Sequence, residues 1–94
     1  SGDPGLNRAA LGQLDEVVRI EPDNAGAWRL LSIAYGRDGQ LGMTALALAE
    51  SASARGNAKE ARLQADRALK LLPENSPAWL RAQDIFNAAS RDED

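Results

Sequence analysis

The chain reads as all-α, an α-solenoid of about five antiparallel helices built from helix-turn-helix repeats. Three observations carry that reading. Trp28, Leu31, Ser32 and Tyr35 stand at offsets 0, 3, 4 and 7, and Trp79, Ala82, Gln83 and Phe86 repeat those offsets 51 residues later, with Gln83 the weakest match. Offsets of three, four and seven mark one face of a helix. Apolar residues supply 44% of the 94 residues, yet the aromatics are only two Trp, one Tyr and one Phe, and much of the remainder is alanine. Side chains that small let helices approach closely, so the core should be thin and helix-on-helix. Finally, the apolar stretches are separated by brief Gly, Pro and Asn punctuation, with no strand candidate among them.

The elements follow in order. Residues 1–5 (SGDPG) are helix breakers and read as a loop or tail, the helical domain should cover 6–88, and 89–94 reads as a frayed polar tail. A first helix is expected over 6–20, where Leu6, Ala10, Leu14, Val17 and their neighbours recur at helical spacing until Pro22 stops it. Asn24 can cap a second helix reaching about Gly36, with Trp28, Leu31 and Tyr35 as its inward stripe. The turn Gly36-Arg37-Asp38-Gly39 offers a left-handed exit. A third helix over 41–54 is apolar nearly all round, as expected of a central helix with neighbours on several sides. Asn57 and Glu60 resemble a capping box for a fourth helix running to about Leu72 and ending at Pro73. Ser76-Pro77 then starts a fifth, carrying Trp79, Ala82, Ile85, Phe86 and Ala89. Short connections imply antiparallel neighbours, and stacked hairpins leave a concave wall.

Composition narrows the chemistry. The sequence contains no cysteine and no histidine. Disulfides, thiolate metal sites and thiol catalysis are thereby excluded for these residues, as is the commonest general base and zinc ligand. A net charge of −3 argues against a nucleic-acid surface. No apolar run approaches the ~20 residues of a membrane span, so no membrane insertion is expected. No signal peptide is visible. Ser1-Gly2 is compatible with a cloning remnant, so the natural N-terminus is expected to lie upstream.

The spacing is that of tetratricopeptide (TPR) hairpins, units of about 34 residues. Ala61, Ala65, Ala68 and Pro73 follow Gly56 as a TPR second helix would, and Ala10, Leu14, Val17 and Pro22 match the same ending 51 residues earlier. That separation is one and a half units, so the third helix must both open the Gly56 hairpin and cover the Trp28 helix. Small residues such as Ser32, Ala61 and Ala68 are expected where paired helices come closest.

A more specific likeness lies in the pieces AWRLLSIAYGRDG (27–39), ALALAE (45–50), ARLQADRALKLLP (61–73) and SPAWLRAQDI (76–85). In order and wording they resemble the C-terminal TPR region of bacterial periplasmic zinc metallopeptidases of the beta-barrel assembly-enhancing protease type. The resemblance implies a periplasmic location and a preceding HExxH domain that holds zinc. It also implies protein or peptide partners, including that protease domain and clients of outer-membrane assembly. No HExxH occurs here, so the resemblance carries no catalytic, cofactor or metal residue onto this chain, and zinc is implied only for the absent domain. The alternative is a stand-alone TPR scaffold in envelope or cytochrome biogenesis.

Candidate site residues are accordingly those of a protein-binding groove: Arg29, Ile33 and Arg37 on the second helix, Met43, Leu46 and Glu50 on the third, and Arg81 and Asp84 on the last. The Asn and Lys set of a clamp for acidic peptide tails is absent. The mixture of apolar and arginine side chains suits an extended or helical protein segment. Glu50, on a largely apolar helix, calls for a cationic partner, with Arg29, Arg37 and Arg81 as candidates. Asp15 and Glu16 point in different directions on a helix and do not form an acid–base pair. Trp28 and Trp79 are expected to pack before they bind. The first helix lacks a hairpin partner, so self-association there is also an expectation.

Overall fold

The structure, a computed structural model, describes residues 3–93. The regular elements among these are all helices: α1 (Pro4–Ile20), α2 (Ala25–Arg37), α3 (Leu41–Ala54), α4 (Ala58–Leu71) and α5 (Pro77–Glu93). Two boundaries differ from expectation. α1 starts at Pro4 because Asp3 caps it, its Oδ1 accepting from the Gly5 N–H (2.8 Å) and the Leu6 N–H (3.3 Å), with proline tolerated in the first turn. α5 runs on to Glu93 instead of fraying after 88, and the Ser90 hydroxyl donates back to the Phe86 carbonyl at 2.8 Å within it. The rest of the expected tails, Ser1, Gly2 and Asp94, lies outside the described residues.

The connections are built from local chemistry. Asn24 accepts from the Ala27 N–H (2.9 Å) and Asn57 from the Glu60 N–H (3.2 Å), while Ser76 accepts from the Trp79 N–H (3.2 Å). α2 and α3 end alike. Gly39 and Gly56 both adopt φ 74°, the Gln40 N–H reaches back to the Tyr35 carbonyl (3.0 Å), and the Asn57 N–H reaches the Ala52 carbonyl (2.9 Å). These are Schellman exits, in which a left-handed residue lets two carbonyls find donors. The second of them overturns the capping-box expectation. The Asn57 N–H is already committed to α3, so Glu60 does not reach back to it and its Oε1 instead accepts from Gln64 Nε2 at 3.0 Å. Between α4 and α5 the left-handed position falls to Asn75 (φ 67°), a residue type that tolerates it.

Each helix packs on the next, and α3 touches α5 as well as α2 and α4. The core is correspondingly divided. Ala45, Leu46, Ala49 and Ala52 of α3 close against Ala61, Ala65 and Ala68 of α4 and Ala82, Ile85 and Ala89 of α5. A second cluster joins Val18, Ala27 and Leu31 to Ala47, with Leu11, Leu14, Trp28 and Tyr35 around it. α3 contributes to both clusters from different sides, which is why its apolar residues follow no single stripe. Alanine dominates the α3–α4–α5 contact. At the α3 N-terminus the approach is closer still: a Cβ on Gly42 would come within 2.8 Å of Leu72 Cδ2, so the Leu72 side chain would have to shift. The stack is elongated, 43 × 25 × 21 Å, and does not close around one axis because, among the described residues, α1 touches α2 alone.

Candidate functional site

Two indoles fix the helix entries. Trp28 Nε1 donates to the Pro22 carbonyl (2.8 Å) and Trp79 Nε1 to the Leu69 carbonyl (3.2 Å), each tying its helix to the preceding chain. The rings are partly buried and their polar edges are spent inside the fold, as packing residues would be.

The central polar feature is Glu50. It lies on α3 among alanines, and its side chain is only 8% exposed. Of the three arginines within sequence reach, Arg81 of α5 takes it. Arg81 Nε meets Glu50 Oε2 and Arg81 Nη2 meets Glu50 Oε1, both at 2.7 Å. This two-pronged geometry is the strong form of the interaction. The hydrogen bond to Glu50 raises the Arg81 pKa above its ordinary value. Burial pulls the other way, and the negative charges of Glu50 and then Asp84 add to the rise. The two-pronged contact holds α5 against α3.

Around this pair the expected groove residues separate. Met43 packs on the core edge beside Gly42, Leu72 and Ala78. Leu46 is 6% exposed inside the α3–α4–α5 core, so it does not line a surface. Asp84 is exposed on α5. Arg29 turns toward α3, in a shallow depression with Leu48, Ser51 and Arg55. Ile33 and Arg37 turn the opposite way, into a cleft between α1 and α2. The eight residues thus form no single groove. Glu50 and Arg81 come together, Asp84 is exposed one turn along α5 with its charge felt by Arg81, Met43 sits toward the end of the α3–α5 seam, and the α2 residues belong to two other surfaces.

The sequence suggests an exposed first helix, but not that Ile33 and Arg37 join it in a cleft between α1 and α2. This cleft encloses about 530 Å³ and is lined by Asn7, Ala10, Gln13, Leu14, Val17, Leu30, Ile33, Ala34 and Arg37. Its signal was present: beyond the inward stripe of α1, Leu6, Ala10, Val17 and Ile20 form a second apolar row, and Leu6 and Ile20 are 71% and 72% exposed. Asn7 Nδ2 donates to the Ala34 carbonyl (2.9 Å) and closes one end.

Among the described residues no group of three or more acidic side chains is arranged to hold a metal ion, and no helix is long and apolar enough to cross a membrane. No protein-family model, curated protein or solved structure matches the chain.

Proposed function

We propose that this chain is a non-catalytic TPR-like docking module. It would form the C-terminal part of a periplasmic zinc metallopeptidase and position protein substrates or partners for the catalytic domain. The supporting observation is the shared use of α3, which packs on α2, α4 and α5 and so joins two helical hairpins into an open stack. On the TPR reading, the 51-residue spacing calls for one helix shared between two hairpins. The docking face on this reading is the α3–α5 seam, with Met43, Arg81 and Asp84 around the pinned Glu50. Its mixture of an apolar edge, a fixed guanidinium and a carboxylate suits a protein segment with both apolar and charged side chains.

A photo-crosslinker at position 84 should capture the catalytic domain of a metallopeptidase of that type, whereas one at position 63, on the outer face of α4, should not. Asp84→Arg combined with Ala88→Arg, both at exposed positions, should abolish capture. Undiminished capture would remove the seam from consideration. Reading the coding frame upstream of Ser1 separates this proposal from a stand-alone scaffold, since an HExxH segment is required by the first and not by the second.

A further inference from the structure

We propose that the cleft between α1 and α2 is a self-association site, in which a second copy of this chain lays its own α1 antiparallel across it to form a four-helix interface. Three observations lead there. The cleft floor is apolar, with Ala10, Val17, Leu30 and Ile33, and the exposed Leu6 and Ile20 extend it along α1. The rest of the fold indicates what fits such a cleft. The α3–α4 hairpin has α5 packed against both of its helices, whereas among the described residues α1 touches α2 only, leaving a helix-wide face of the α1–α2 pair uncovered. A helix with small and branched side chains is the matching shape.

Charge selects the occupant. Arg37 stands at the end of the cleft near the α1 N-terminus, and no ion pair holds it among the described residues. Glu21 stands just past the other end of α1, its carboxylate accepting only from Asn24 Nδ2 at 3.2 Å. An antiparallel alignment about Gln13 brings Leu6 opposite Ile20 of the second copy and Arg37 toward Glu21 of the second copy, and does so twice. The surface is thus complementary to itself under a two-fold, the closed symmetry most oligomers use. A head-to-tail stack lacks this match. The outward row of α5 at the opposite end of the molecule is Leu80, Asp84, Asn87 and Arg91, largely polar.

The test is sedimentation velocity on the purified chain from about 1 μM to 1 mM, the range in which a modest interface reports itself. A reversible dimer is expected. Ile33→Glu, at a position 44% exposed, should raise the dissociation constant at least about tenfold, while Leu63→Glu on α4 should leave it unchanged. Arg37→Glu alone should weaken the dimer, and adding Glu21→Arg should restore it to within about threefold of wild type. Because the two charge reversals lie on the surface, this rescue holds even if Ile33→Glu disturbs folding. A chain monomeric throughout, a dimer indifferent to Ile33→Glu, or a double reversal no better than the single one would each overturn the proposal.

Discussion

Removing Arg81 should hurt this fold more than removing its partner, and the structure sets the size of the difference. Glu50 is 8% exposed at its side chain and Arg81 is 51% exposed. Arg81→Met leaves a carboxylate among alanines with its two charged donors gone. Breaking a fully buried pair from one side costs roughly 3–5 kcal/mol, and the half-exposed position of Arg81 lets some water in, so about 2–3 kcal/mol is expected. Glu50→Gln keeps the shape of the side chain, and a half-exposed guanidinium can rehydrate, so about 1 kcal/mol is expected. Replacing both by methionine removes the buried charge together with its partner and should lie within about 1 kcal/mol of wild type. The assay is urea unfolding of these four proteins and of Glu50→Met, with the m-value checked for constancy, and the wild type, the two methionine single variants and the double variant close a double-mutant cycle. If Arg81→Met costs no more than Glu50→Gln, Glu50 is solvated in solution and the argument from burial fails. If the single losses simply add, the two side chains do not interact.

Four further outcomes follow from the geometry. Gly42→Ala gains less helix propensity at the second position of α3 than the roughly 1 kcal/mol of an interior site, while its Cβ meets Leu72 at 2.8 Å and the Leu71 backbone at 3.3 Å, so thermal melting should show a net loss of stability. Asn57→Ala should cost about 1 kcal/mol in urea unfolding, and Glu60→Ala much less, because only the Asn57 half of the box is made. Gln64 has a buried Oε1 without a partner among the described residues, so Gln64→Met should leave stability unchanged or raise it by up to about 1 kcal/mol in the same assay. Burial, with a smaller contribution from Asp15, raises the Tyr35 pKa above 10.0. The unfolded chain therefore ionises this phenol first, and the stability that the neutral phenol contributes is complete below pH 10 and lost as pH rises through the folded-state value. Tyr35→Phe should flatten that alkaline part of the melting curve, and an unchanged slope would mean the phenol is solvated.

Most of the helix boundaries were legible because they rest on local chemistry. Pro22, Gly39, Gly56 and Pro73 stop helices by backbone geometry alone, and Asn24, Asn57 and Ser76 start them with their own side chains. Asp3 was missed as a cap because proline and glycine behind it read as breakers, although proline at the first helical position is permitted. The face each residue takes was much less legible. Arg29, Ile33 and Arg37 look like one row at four-residue spacing, but each such step rotates about 40° around the helix. Across eight residues the drift carries Arg29 to the α3 side and Arg37 to the α1 side. The same rotation explains Leu46. It lies about 40–60° round from Met43 and Glu50, which turns it into the core while those two stay near the seam. The partner of Glu50 depended on helix rotation too, since three arginines had the reach and only the packing of α5 on α3 decides among them.

That packing also constrains how the proposed docking face could recognise anything. α3 is covered on three sides, so few of its side chains remain available to a partner, and its one carboxylate is already engaged. What faces outward is Arg81. A guanidinium carries five N–H donors, and Glu50 uses one on Nε and one on Nη2, leaving three on a side chain that is half exposed. Glu50 therefore acts on a partner only indirectly, by holding those donors in a fixed orientation and removing the rotamer entropy that a free arginine would lose on binding. An acceptor presented at the right spacing, a backbone carbonyl pair or a carboxylate, gains from that fixity. A lysine at position 81 would keep the charge and lose the fork. On the proposed function, recognition would rest less on the number of exposed groups than on one pre-set donor array on Arg81.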